Sequence, residues 1–174
     1  NLTTISSGAV TIAKNGAVTV TGDFSNSSGN VNLNSDNNEF ASIIVQGSSS
    51  GDIVYKRYVA DEGSDPDEWD LIGSPVDDLS ISSFATTNTT GTATLATGNG
   101  SGAGASGEYA IGVYDNSDDS WTNYTTGTIG AAGNFDIGKG YSMASVSGGT
   151  GLLAFTGTIP TTDQTQAIID NSSS

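Results

Sequence analysis

The chain contains no cysteine and no histidine. Together these absences remove disulfides, thiolate and imidazole metal ligands, cysteine nucleophiles and imidazole bases, and with them the common hydrolytic triads. Positive charge is nearly as scarce, with four Lys and Arg against nineteen Asp and Glu, a formal charge of -15 over 174 residues. Such a chain repels phosphates and anionic lipid surfaces, so nucleic acid and membrane insertion are not expected. No apolar run reaches the roughly 18 residues of a membrane span. No secretory leader is recognisable, and "NLTTISSG" reads as an interior or processed beginning. One Met, three Pro and little Leu, Lys, Arg or Glu leave few good helix formers, which argues against a helical bundle.

What is abundant is glycine, 24 residues, with Ser, Thr and Asn around it. That composition favours many short strands joined by turns. Over residues 1–50 the segments "GAVTI", "GAVTV", "NVNLN" and "ASIIV" alternate apolar and polar residues, with Gly, Asn and Ser between them. Stacked, they form a small solenoid with Val10, Ile12, Val18, Val20, Val31 and Leu33 pointing inward; a meander of hairpins fits the irregular spacing nearly as well. Residues 51–174 hold longer strands and most of the aromatics, spaced as in a β-sandwich of jelly-roll type. "YDNSDDSW" is a hairpin candidate, and "GKGYS" reads as a tight turn. Ala85 to Gly107, almost without large side chains, reads as a mobile loop.

Three groups of residues are candidates for chemistry. The acidic run "DEGSDPDEWD" brings Asp61, Glu62, Asp65 and Asp67 together, hard oxygen ligands for calcium if the loop folds back, and otherwise a solvated acidic loop. Trp69, Tyr114, Trp121 and Tyr124 either hold a glycan on an aromatic face or fill a core together with Tyr109, Tyr141 and Phe155. In "EWDLIGSPV", Trp69, Leu71 and Val76 read as core positions and Gly73-Ser74-Pro75 as the strand's end. Four Glu and no His supply no paired acid and base, so an enzyme is not expected. Asn-x-Ser/Thr sequons occur at Asn1, Asn26, Asn88, Asn99, Asn123 and Asn171.

From Asn1 to about Ile159 the order "GAVTVTGDF", "NEFASIIVQG", "GDIVYKRYV", "WDLIGSPV", "ISSFA", "GEYAIGVYDNSDDSWTNYTT", "GNFDIGKGYSM", "LLAFTGTI" resembles a module of secreted surface proteins exported by the type IX system of Bacteroidota. The resemblance implies an extracellular, non-catalytic structural or adhesin-type part, without a cofactor unless calcium, whose partners are neighbouring modules, further copies or a glycan. Members of that family commonly continue past the "FTGTI" strand into a second half, which is not seen here. The expectation is therefore either a monomer closed on itself, its edges blunted by polar loops such as Ala85 to Gly107, or a sandwich completed by strand exchange, with Ile5 at one end and Ile168 and Ile169 at the other as donor residues.

Overall fold

Three tripeptides frame the first half of the molecule. Ser6-Ser7-Gly8, Ser27-Ser28-Gly29 and Ser49-Ser50-Gly51 each end in a glycine of positive φ (77°, 67° and 80°), where a Cβ would be strained. Each is followed by one linking residue and then a strand with apolar residues two apart: Val10 and Ile12, Val31 and Leu33, Ile53 and Tyr55. The chain turns the same corner three times and lays the same strand down three times.

The computed structural model describes residues 3–62, 69–89, 95–97 and 107–167, with side chains from residue 6 onward. The result of the repeated corner is a three-faced parallel coil. On one face β1 (Thr3–Ile5), β4 (Phe24–Asn26) and β7 (Ser49–Ser50) stack; on the second β2 (Val10–Ile12), β5 (Val31–Leu33) and β8 (Ile53–Tyr58); on the third β3 (Ala17–Val20) and β6 (Ser42–Val45). All these pairings are parallel, with a rung spacing of about 21 to 25 residues. Parallel stacking decides for the solenoid and against the meander. The longer spacing reflects a turn at residues 35–40, where Asp36 accepts the N–H groups of Asn38 and Glu39 and its other oxygen takes the Lys14 ammonium.

The coils are joined at their corners by backbone and short polar side chains. Asn26, 4% exposed, donates to the Asp52 carbonyl at 2.6 Å and accepts from Ser28. Asp23 accepts both the N–H and the hydroxyl of Ser48 in the next coil. Ile12, Val20, Val31 and Leu33 are buried, as the alternation requires. Val10 and Val18 are not: they are 39% and 38% exposed, although Ile12 and Val20 on the same two strands are buried and Val31, stacked on Val10, is 1% exposed.

Strand β8 belongs to two structures at once. One edge continues the parallel coil through β5, and the other pairs antiparallel with β13 (Leu152–Gly157). Opposite lies a four-stranded sheet in the order β11 (Ser120–Thr125), β10 (Glu108–Asp115), β12 (Gly140–Met143), β9 (Asp70–Gly73). After β9, Gly73-Ser74-Pro75 bends the chain, Val76 enters the core with no exposure, and the Asp77 N–H bonds the Thr158 carbonyl beside β13. "DLIGSPVD" thus crosses from one sheet to the other and closes the sandwich. The fold is all-β; among the described strands the jelly-roll order is not found.

One core runs through both halves. Phe84, Phe135, Tyr141 and Phe155 meet in it edge-on or tilted, with ring centroids 4.5 to 6.0 Å apart. Phe84 comes from α1 (Ile81–Thr89), whose second half, from Ala85, falls in the segment read from sequence as a mobile loop. Ser80 begins this helix by accepting the Ser83 N–H at 3.1 Å, and Ile81, Phe84, Ala85 and Asn88 form its buried stripe. Further along, Leu95 and Ala96 are buried and bridge the sheet, with Ala96 bonded to Ala144 and Ala110. At residues 85–89 and 95–97 the loop reading is therefore overturned: a few well-spaced apolar side chains found core sites despite the weak local propensity of their neighbours. Among the described residues no helix is long and apolar enough to cross a membrane.

Candidate functional site

The sheet β11-β10-β12-β9 has two faces that differ sharply. Inward lie Ile111, Tyr141 and Met143, all buried. Outward, register places Asn123, Gly112, Ser142 and Leu71 in one row across all four strands. The next row along holds the pair Trp121 and Tyr114 on one half of the sheet and Gly140 opposite Gly73 on the other half. The two central strands thus present only glycine and serine over this stretch, and the large side chains come from the flanking strands and from Tyr114.

Those large side chains lie down on the glycines. A Cβ on Gly112 would come within 3.5 Å of the indole Cε3 of Trp121, and one on Gly140 within 2.8 Å of the Leu71 Cγ. Trp121 is 50% exposed and Leu71 66%. Leu71 is therefore an outer-face residue rather than the core position expected from alternation; the core side of β9 is taken by Ile72, which packs against the buried cluster. Tyr114, 37% exposed, sits beside Trp121 with ring centroids 5.2 Å apart and a 55° tilt. Its hydroxyl donates to Asp119 in the hairpin turn, and this bond to a carboxylate raises the phenol above its ordinary value.

Of the four aromatics proposed for a glycan, the structure brings two together. Trp69 is partly buried against the core, and Tyr124 lies on the opposite face of β11 from Trp121, half-buried, its phenol raised by burial and by the Asp136 carboxylate. The sequence reading missed Asn123, Ser142 and Leu71 as their companions. Cross-strand register alone makes that row, and no local motif announces it.

Of the acidic run, Asp61 and Glu62 are described, while Asp65 and Asp67 lie outside the described residues. Asp61 accepts the Gly148 N–H at 3.4 Å; burial first, and Asp61 second, push the Glu62 carboxyl up. Among the described residues no three acidic side chains converge as a metal site requires. Of the assembly residues, Ile5 lies in β1, paired in parallel with β4 of its own chain, and Ile168 and Ile169 lie outside the described residues. Of the sequon asparagines, Asn26 and Asn88 are buried (4% and 5% exposed) and Asn123 is half-buried.

A second concavity, a cleft of about 370 Å³, opens between the turn at residues 35–40 and β9, with Phe40, Arg57, Tyr58 and Asp70 in its walls. Its polar groups are largely engaged: Arg57 lies over the Phe40 ring at 4.2 Å, Asp70 accepts the Ala60 N–H, and Asp36 is held by Lys14. Comparison with protein-family models, with curated proteins and with solved structures returns no match.

Proposed function

We propose that this chain is a non-catalytic, extracellular structural module of adhesin type, part of a surface protein or surface assembly. The observation that carries the reading is the continuity of β8, which makes the coil stack and the sandwich a single body with one core. A rigid body of this kind transmits position and load, and stacked coils set its length. The composition supports the same reading: a charge of -15 keeps an exposed polar surface dispersed, and a chain without His or Cys lacks the usual groups for acid-base or thiol chemistry. The likeness of its segment order to modules exported by the type IX system points to a bacterial surface as the site of action.

The test is immunogold labelling of intact source cells with an antibody raised against the chain, before and after protease shaving, with fractionation alongside. Label on intact cells that shaving removes is the expected result. Recovery of the protein in the cytosolic fraction alone overturns the reading.

A further inference from the structure

We propose that the outer face of the sheet β11-β10-β12-β9 binds a neutral glycan of equatorially substituted pyranoses, with Trp121 as the stacking platform, Tyr114 as its side wall, and Asn123 and Ser142 as hydrogen-bonding groups. The inference goes beyond the structural role: a scaffold without a ligand satisfies that role equally, so failure here leaves it standing.

The geometry supplies what a sugar ring needs. Trp121 leans over Gly112, its Cε3 3.5 Å from where a Cβ would stand, and is 50% exposed, which leaves indole surface open to solvent. Axial C–H groups of a pyranose stack on such a face, as apolar surface does on any aromatic. Between Trp121, which covers Gly112, and Leu71, which covers Gly140, the floor is low, because Ser142 and Gly73 carry at most a hydroxymethyl group. From β11 to β9 the face spans three strand spacings, about 14 Å, and with Trp121 and Leu71 leaning inward from its two margins a ring stacked on Trp121 has Ser142 and then Leu71 beyond it. Neither Asn123 nor Ser142 has a side-chain hydrogen bond to another described residue, so amide and hydroxyl are available for sugar hydroxyls.

Charge selects among ligands. The rows described carry no cation, and the hairpin at their margin carries Asp115, Asp118 and Asp119. Uronate, sulfated or phosphorylated ligands are repelled by it, while a neutral polyol finds acceptors. A second copy of the chain fits less well. Two bodies of charge -15 repel, and three exposed apolar side chains fall short of the roughly 800 Å² per partner that a stable interface buries.

The experiment uses the full chain with cellohexaose and xylohexaose, both β-1,4-linked, as neutral probes and a galacturonate oligomer as the anionic control, followed by calorimetry and by the indole N–H signals in NMR. The expected result is saturable binding of at least one neutral probe, Kd under about 1 mM, a shift at the Trp121 indole, and no binding of the galacturonate. W121A weakens it at least tenfold. S142K, which lays a long side chain across the floor from a partly exposed position, does the same while the melting temperature stays put. The proposal is overturned by any of four results: no saturable binding of a neutral probe by the intact chain, unchanged affinity in both variants, tighter binding of the galacturonate, or a dimer by light scattering that W121A dissolves while no sugar binds.

Discussion

Replacing Asn88 by alanine tests the account of how α1 is fixed to the sandwich. The Asn88 side chain is 5% exposed and acts as a strand substitute on the free edge of β13: its amide donates to the Ala154 carbonyl at 3.0 Å and to the Phe84 carbonyl at 2.9 Å, and its carbonyl accepts the Ala154 N–H at 2.8 Å. Asn88→Ala removes all three bonds and leaves both main-chain groups of Ala154 without this partner. At about 0.5 to 1.5 kcal/mol for each bond, rising where a group stays buried and unsatisfied, the loss is about 2 to 4 kcal/mol. Set against a typical total of 5 to 15 kcal/mol, and at about 2 to 4 °C per kcal/mol for a chain of this size, the melting temperature falls by about 5 to 15 °C. Urea and thermal denaturation, followed by circular dichroism, measure it. Asn88→Asp sharpens the test. Its carboxylate would face two carbonyl oxygens in a buried place, so its pKa is raised, its neutral form is the better tolerated, and the variant loses stability as pH rises through that value. An Asn88→Ala variant within about 0.5 kcal/mol of the parent, the range of an ordinary surface change, refutes the reasoning.

Further outcomes follow from other parts of the molecule. Gly51→Ala would place a Cβ 1.8 Å from the Asn26 carbonyl oxygen at positive φ, and is expected to cost about 2 to 4 kcal/mol by combined strain and overpacking; Gly8→Ala, equally positive in φ but with open space around it, should cost about 1 to 2 kcal/mol, and equal losses in denaturation would show that coil contact is not the cause. Asp36 is held at about 2 by the Lys14 ammonium and by the N–H groups of Asn38 and Glu39. A depressed carboxyl stabilises the fold above its unfolded value and ceases to do so as pH falls from about 4 to about 2; Asp36→Asn should flatten the acid limb of a stability-pH curve in that window. Asp119→Asn removes the carboxylate that raises Tyr114, so ultraviolet titration should show one tyrosine moving down toward the ordinary phenol value.

Much of the architecture was legible in the chain, and its exact period less so. The strands of the first half announce themselves by alternation, yet their stacking is written in Ser-Ser-Gly at positions 6–8, 27–29 and 49–51, followed each time by a spaced apolar pair. These triplets recur at 21 and 22 residues, but each is short and lies among many other Ser- and Gly-rich turns, so the repeat does not stand out from its surroundings. Helix α1 was missed for a physical reason: Ser, Thr and Asn compete with the helical backbone for hydrogen bonds, and only contacts far along the chain, Phe84 with Phe135 and Phe155 and Asn88 with Ala154, tip the balance. Trp121 and Tyr114 could be named from composition and the hairpin between them. Their companions Asn123, Ser142 and Leu71 come from three strands up to about 70 residues apart, and only the register of β9, β12, β10 and β11 joins them.

The burial of Asn26 and Asn88 constrains where this protein can be made. Both begin Asn-Ser-Ser or Asn-Thr-Thr triplets, which the eukaryotic secretory pathway modifies on the nascent chain, before folding could hide them. A glycan on Asn26 would replace the amide that holds the Asp52 carbonyl and prise two coils apart; one on Asn88 would have to sit between α1 and β13. Neither is compatible with the native packing. Production in yeast or animal secretion systems should therefore yield glycosylated, unfolded material, and rescue has to come from replacing the Ser or Thr at the third position of each triplet, because the asparagine side chains are themselves structural. A bacterial cytoplasm or periplasm that ignores the triplet imposes no such obstacle.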